Sequence, residues 1–562
     1  MAETTGGGQT SRNIWWPALL GLISFALALV TRTGVTGEPL IYDEHYHVLP
    51  AQSWLAEGTL RVLDGAYERA AIFTKMVAVS FEIMGNQDPA AARLIPSAIP
   101  GALLVTVVFL WTRVVIGSTA GWFVLVFLLL WPNGIEVSQY IRFYALQGLL
   151  FVSGALLVYG GLADRAAPRR RALMFAGAAP LFLLALKLQM LTLIGLGAIG
   201  LWVAIVLLPG WLKAYRWLWI PVIAVGSGII ALLASGLLDE AINRFWTIYR
   251  WAPWPHIDDR FFYHRDFRDN YPTFWPLFPL AALVALRAYP RVASFCLVLF
   301  TVAFVVQTFG TLKNIRYLYP AMPFFFVLWA AALQALLPKA KDFIQRTARE
   351  ALSPFIPTAS IGAGSTLVIA ISLLFLFGAN AAFERSIDLV RGQPAKVLLG
   401  KTRWTWPEAR EMAEPWLAKG AIVVTSEEML AVKWLGDYDV GYNRPRFSEM
   451  QFTIAPDIPP FTDDWRSGRP LIGLFEDMSR IIACEPVGIF ITNARWLDSG
   501  GALRMAEAAQ ATGARVTTER RRGMALLAWE RGSEAPAPQP AHSCGSIPTA
   551  TGLRAADRLG VR

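Results

Sequence analysis

Charge is scarce in this chain. Asp, Glu, Lys and Arg make up 16% of its 562 residues against 55% hydrophobic ones, which excludes a soluble globular protein of this length. Cysteine is rarer, and the three residues constrain little. Cys296 lies inside an apolar run, and a bridge from Cys484 to Cys544 is not expected, because Cys544 belongs to a tail rich in Pro, Ala, Gly and Ser. No glycine-rich phosphate fingerprint follows the strand-like segments near the C-terminus, so nucleotide binding there has no support. The first apolar run lacks a small-residue cleavage site, which makes it an expected anchor rather than a cleaved leader. Internal repeats of the transporter type are missing as well.

What is plentiful is apolar sequence. Runs of roughly the 17–25 residues that cross a bilayer fall at 14–30, 94–111, 116–131, 145–162, 172–188, 191–208, 217–238, 274–286, 292–309, 318–337 and 361–377. The expected fold is a polytopic α-helical membrane protein with about eleven transmembrane helices. Basic residues collect in alternate loops: Arg113, then Arg165, Arg169, Arg170 and Arg171, then Lys213 and Arg216, then Arg287 and Arg291, then Lys339, Lys341, Arg346 and Arg349. The positive-inside tendency makes these loops and the N-terminus cytoplasmic and puts the acidic and aromatic loops outside. An odd number of spans sends everything after residue 377 outside too. The net charge of +10 then reflects topology and anionic lipid headgroups rather than nucleic acid. The expected location is the inner membrane, multi-pass, with a periplasmic or extracellular C-terminal region.

That region has a different texture. Strand patterns at 420–425, 439–443, 488–492, 514–518 and 524–529 alternate with helical ones at 427–435 and 502–511. Such alternation indicates a soluble α/β domain with a mostly parallel sheet. The expected organisation is a membrane domain with its outer loops over 1–380, a periplasmic α/β domain over 395–531 and a disordered tail over 532–562.

The chemistry is expected where the first span meets water. The chain there reads Glu38-Pro-Leu-Ile-Tyr-Asp43-Glu44-His45-Tyr-His47. Ionisable groups at a bilayer edge are costly unless used or paired, so the Asp43-Glu44 pair has a functional reading. It equally has a structural one, in which either carboxylate stabilises the start of a helix over 46–57. Cations reach the same outer face: Arg93 before the second span, Arg142 in Glu136-Val-Ser-Gln-Tyr-Ile-Arg142-Phe-Tyr144, Lys187 ending the fifth span, and Lys313 and Arg316 in Lys313-Asn-Ile-Arg316-Tyr317-Leu-Tyr-Pro320. Singly each is an ordinary interfacial anchor. Together they match a site that binds a lipid-linked phosphate while a carboxylate activates an acceptor.

Four ordered motifs carry a family resemblance. Tyr42-Asp43-Glu44 follows span one, Gly85 and Ala92-Arg93-Leu94 precede span two, Ser138 with Arg142-Phe-Tyr144-Ala-Leu146 precedes span four, and Arg316-Tyr317-Leu318 with Pro320 and Pro323 opens span ten. In these the chain resembles the GT-C superfamily of membrane glycosyltransferases, the group of the protein O-mannosyltransferases and the lipid A aminoarabinose transferases. The resemblance is to the superfamily rather than to either branch. Tyr67-Glu-Arg69-Ala-Ala71 stands where the aminoarabinose transferases carry Lys-Pro-Pro, and the loop between spans seven and eight is too short for the β-trefoil of the mannosyltransferases.

The resemblance implies a GT-C fold and inverting transfer of a hexosyl or pentosyl group from a polyprenyl-phosphate donor. The acceptor would be a glycan, lipid or protein on the outer side of the membrane. Asp43 would be the base with Glu44 its neighbour, and Arg93, Arg142, Lys187, Lys313 and Arg316 would hold the phosphate. Tyr144 and Tyr317 belong to the matching motifs and are expected in substrate binding. Bottom-up chemistry agrees: a hydroxyl nucleophile gains from a positioned carboxylate, and a departing phosphate from guanidinium groups. No cofactor is required by this chemistry. His45 and His47 beside the carboxylates raise the question of a divalent metal, but residues two apart are not a diagnostic ligand spacing. His45 reads instead as a hydrogen-bond partner of the acceptor or of Asp43. The loop 246–275, with His256 and His264 among Trp, Tyr, Arg and Asp, reads either as a sugar-binding surface or as an interfacial aromatic belt. The competing reading for the chain is a multispan transporter or flippase of lipid-linked or envelope substrates; a third is a non-catalytic scaffold.

Overall fold

The computed structural model describes residues 15–34, 40–163, 167–236, 259–310, 313–352, 358–393, 406–442, 461–464, 466–494, 501–521, 523–532, 544 and 555–560. They form two compact units that are not consecutive in sequence. One comprises Met1–Thr36, Arg93–Trp246 and Asp259–Leu398; the other comprises Gly37–Ala92, Thr247–Asp258 and Leu399–Arg562. The segment between the first two expected spans is thus grouped with the C-terminal region, across the expected division at 380–395.

Each of the eleven apolar runs is a helix in the first unit, but their lengths differ. Six helices are long and apolar enough to cross a bilayer alone, namely Pro89–Val115, Tyr144–Leu162, Pro168–Leu188, Thr192–Ala214, Pro290–Phe309 and Met322–Ala351, and two bent pairs raise the number to eight. The remaining three, Trp15–Thr31, Trp219–Ala234 and Phe274–Ala288, have 17, 16 and 15 residues. At 1.5 Å per residue they reach only about 23–26 Å, short of the roughly 30 Å hydrocarbon core. Among the described residues, length and composition support six to eight of the eleven expected spans. Pro89–Val115 and Met322–Ala351 are 61% and 67% buried, whereas Pro168–Leu188 and Thr192–Ala214 are 17% buried. The first two are interior helices, and the latter two turn their apolar side chains to lipid.

Among the described residues, two bent helix pairs and two π turns shape this unit. Ser118–Leu129 and Pro132–Ser138 meet at 61°, because Pro132 has no N–H to continue the helix and holds Trp131 extended. Arg32, fully buried after the first helix, donates to the carbonyls of Ala28 and Leu128, each at 3.2 Å. It thereby satisfies a helix end at the break. One π turn, Leu94–Ala98, lies at Pro96 and immediately after Arg93. A wide turn accommodates a residue that cannot donate to the helix ladder.

The second unit is built on a seven-stranded sheet. Its strands are β3 (Ile422–Thr425), β4 (Val440–Tyr442), β5 (Thr462–Asp463), β6 (Pro470–Ile472), β7 (Val487–Asn493), β8 (Ala514–Arg521) and β9 (Met524–Arg531), preceded in sequence by a hairpin of β1 (Arg61–Val62) and β2 (Gly65–Ala66). The sheet order is β5-β6-β4-β3-β7-β9-β8. Pairs β6–β4, β4–β3 and β3–β7 are parallel; β5–β6, β7–β9 and β9–β8 are antiparallel. The sheet is parallel only in its middle, because β8 and β9 are joined by a short turn that leaves no room for a crossover. Helices Ala409–Leu417 and Glu428–Trp434 cover one face, and Phe475–Cys484 and Gly501–Ala511 the other. The first-loop helix Tyr42–Glu57 packs against Glu428–Trp434, with Tyr42, Tyr46 and Leu49 beside Met429 and Val432.

Beyond residue 532, Cys544 and residues 555–560 are described. Cys484 and Cys544 form a disulfide with Cα atoms 5.6 Å apart. Beyond it, the helix Ala555–Arg558 inserts Ala555 into the core, and Asp439 accepts the Ala555 N–H at 2.7 Å. One covalent tie and one buried contact hold these described residues to the α/β domain.

Candidate active site

Four of the expected binding residues come together in the membrane unit. Helix Pro132–Ser138 ends at Gln139, and the next helix begins at Tyr144, which leaves Arg142 on a short irregular link. Arg142 is 8% exposed, with its guanidinium carbon 5.5 Å from the Phe143 ring and 5.9 Å from the Tyr144 ring. Arg316 approaches the same Tyr144 ring at 5.2 Å and that of Tyr317 at 5.6 Å. It sits in the 3-10 turn Ile315–Leu318, whose start is capped by the Asn314 side chain accepting the Arg316 N–H at 3.1 Å. Tyr144 thus stands between two guanidinium groups, and cation–π attraction orients both.

An open cavity lies beside them. Tyr144, Gln147, Gln307, Arg316 and Tyr317 supply polar walls, and Phe151, Leu191, Ile194, Leu299 and Phe324 supply apolar ones. Gln147 donates to Thr192 Oγ1 at 3.1 Å, which fixes its amide. An amphiphile with an anionic end matches such a lining.

The other expected cations are elsewhere. Lys313 donates to the carbonyls of Gln307 and Thr308 at the end of helix Pro290–Phe309, and lies 5.8 Å from the Tyr263 ring. It is a helix cap in this structure. Lys187 is exposed in the last turn of helix Pro168–Leu188, and Arg93 is fully buried beside the π turn. None of the three lines the cavity.

Asp43, Glu44, His45 and His47 belong to the second unit. The helix carrying them starts at Tyr42, four residues earlier than expected, with Ile41 as its cap. All four side chains are buried. Glu44 accepts the Ile41 N–H at 2.8 Å, the reciprocal contact of a capping box, so the structural reading holds for this carboxylate. His47 shares a hydrogen bond of 2.9 Å with Thr74 and meets the Phe73 ring at 4.9 Å. Residues two apart on a helix point about 200° apart, which separates the two imidazoles. Among the described residues no group of three or more His, Cys, Asp or Glu side chains is placed to hold a metal ion. His256 lies outside the described residues, whereas His264 accepts from the Trp275 indole at 2.8 Å.

Sequence reasoning missed Arg32, and it missed the trio of Tyr46, Glu428 and Arg466. Their pairing spans about four hundred residues, and no local pattern signals it.

Solved structures share this architecture. ArnT from Cupriavidus metallidurans in the apo state aligns over 92% of this chain and 98% of its own, at 16% identity and a TM-score of 0.55. ArnT from the same organism bound to undecaprenyl phosphate gives the same coverage at 14% identity and a TM-score of 0.56. The archaeal oligosaccharyltransferase AglB from Archaeoglobus fulgidus, in complex with an inhibitory peptide and a dolichol-phosphate, aligns over 94% of this chain and 75% of its own at 12% identity, with a TM-score of 0.52. The fold is GT-C. The alignments extend over nearly the whole chain, so the GT-C likeness takes in the α/β domain as well as the multi-pass membrane part. No family model matches the chain. No curated protein matches it either.

Proposed function

We propose that this protein transfers a sugar, hexosyl or pentosyl, from a polyprenyl-phosphate donor to a glycan, lipid or protein acceptor at the outer face of the inner membrane. The observation that carries the reading is the cavity beside Arg316, whose apolar walls suit an isoprenoid and whose guanidinium and phenol groups suit its phosphate. The undecaprenyl phosphate in one ArnT structure and the dolichol-phosphate in AglB support it.

In this reading Asp43 removes the proton of an acceptor hydroxyl. The oxygen forms its bond to the anomeric carbon from the face opposite the phosphate, so the configuration inverts. The bond from that carbon to the phosphate oxygen breaks, and its electron pair leaves with the polyprenyl phosphate. Arg316 and Arg142 stabilise the charge gathering there, with Tyr144 and Tyr317 orienting them. Glu44 keeps the helix start intact, and His45 is assigned a hydrogen bond to the acceptor or to Asp43. Arg93, Lys187 and Lys313 keep a supporting electrostatic role. The reading assigns no metal or other cofactor.

An outer location for the α/β domain is supported by the Cys484–Cys544 disulfide, since such bonds persist in oxidising compartments. A cytoplasmic N-terminus is supported by the basic loops.

The test is release of polyprenyl phosphate from radiolabelled lipid-linked sugars, with an envelope fraction as acceptor and EDTA present. Wild type releases it, whereas folded Asp43→Asn loses at least about 100-fold, the lower range for a general base. Equal activity in the two proteins would remove Asp43 from the mechanism, and no release with any donor would favour a transporter.

A further inference from the structure

We propose that Glu428 and Arg466 of the α/β domain are positioning residues for Asp43, acting through Tyr46 on the same helix. The inference rests on Asp43 as the base and adds a task for the C-terminal domain. Tyr46 follows Asp43 by three residues, about one helical turn, so the Tyr46 ring and the Asp43 carboxylate share one stretch of backbone.

The Tyr46 hydroxyl is fully engaged. It donates to Glu428 Oε1 at 2.8 Å, accepts from Arg466 Nη1 at 2.8 Å, and lies 3.0 Å from the Tyr42 hydroxyl. Arg466 closes the triangle with an ion pair of 2.8 Å to Glu428, and its Nε binds both oxygens of Asp464 at 3.0 Å. Tyr42, directly before Asp43 in the chain, therefore ends in the same network as Tyr46. Burial pushes the Glu428 carboxyl up, but Arg466 and the two tyrosine hydroxyls outweigh it and hold it below the usual range. The carboxylate stays charged and keeps both tyrosines as donors.

A second tether lies one loop on. Arg469 binds both oxygens of Asp437 at 2.9 Å and reaches Asp64 in the turn of the β1–β2 hairpin. The Asp64 N–H donates to the Ser467 carbonyl at 3.1 Å. Gly65 allows this approach, since a Cβ there would stand 2.5 Å from the backbone of Arg466 and Ser467. The polar triangle is a costly way to gain stability, because apolar packing would serve as well. Its directional bonds fix orientation, which a base must have to within about 0.5 Å.

The test uses the full-length protein in detergent, with kcat, donor KM, the pH profile and hydrogen exchange of amides 43–47 as readouts. Tyr46→Phe removes one oxygen and Arg466→Gln one charge; Arg521→Gln, on an exposed ion-pair cluster of the same domain, is the control. Tyr46→Phe and Arg466→Gln are expected to lower kcat about 10- to 100-fold. Donor KM stays within about twofold, the acidic limb of the kcat profile shifts, and exchange at 43–47 accelerates about tenfold. The double variant is no slower than the worse single one, as one network requires. Unchanged kcat and exchange in Tyr46→Phe would overturn the inference, and this variant decides if Arg466→Gln does not fold. An active Asp43→Asn instead overturns the base assignment, while exchange still reports whether the network holds the helix.

Discussion

At the scale of single residues, the membrane unit separates cations that bond helix ends from one that lines a cavity. Arg32 and Lys313 both donate to backbone carbonyls at helix ends. Arg316 lines the cavity instead, beside two phenol rings. Its replacement should therefore act on binding. Arg316→Ala is expected to raise the donor KM about 30- to 100-fold, the worth of one charge-assisted contact of about 2–3 kcal/mol. Arg316→Lys should recover only part, because an ammonium lacks the guanidinium fork. Initial-rate kinetics with a lipid-linked sugar check both, and an unchanged KM would place the phosphate elsewhere.

Among the elements, the helix Phe262–Asn270 is packed beside Ala381–Val390 through polar groups. The Arg385 guanidinium donates to the Asn270 side chain, while Asp266 keeps a buried oxygen with no hydrogen-bond partner among the described residues. Burial pushes the Asp266 carboxyl up to about 6, against the pull of Arg385 and a hydrogen bond from Asn270. A raised folded-state value means that the protonated form is favoured on folding. Its contribution is full below the unfolded value near 4 and is lost as pH rises through about 6. Asp266→Asn should thus stabilise the protein at pH 7.5, on the order of 1–2 kcal/mol after discounting for partial exposure. At pH 4 it should give no gain. Thermal unfolding at the two pH values reads this directly, and a gain of equal size at both would sink it.

For the whole molecule, the tail acts as a staple on the α/β domain. The Cys484–Cys544 bond ties together residues 60 apart in sequence, and Ala555 then closes one face of the sheet. Cys484→Ser should cost this domain about 2–4 kcal/mol and release the helix Ala555–Arg558 to protease. Limited proteolysis under reducing and non-reducing conditions tests this. Equal resistance in the variant and the wild type would mean that buried contacts alone hold the tail.

Apolar run lengths, basic-loop alternation and the strand–helix rhythm after residue 420 determined the membrane class, the helix positions and the α/β domain, because these depend on burial and local backbone preference. The motif cations Arg142 and Arg316, and the phenols Tyr144 and Tyr317, were legible for the same reason: each sits at a span end. Which of the span-end cations meet was not legible, since Arg316 and Lys313 read alike until one is seen lining a cavity and the other capping a helix. The Cys484–Cys544 bond and the seat of Ala555 in the core also followed from tertiary contacts that override composition. The tie from Tyr46 to Glu428 and Arg466 lay furthest from sight. Nothing local encodes it, because a hydrogen bond between residues hundreds of positions apart exists only once the chain has closed that distance.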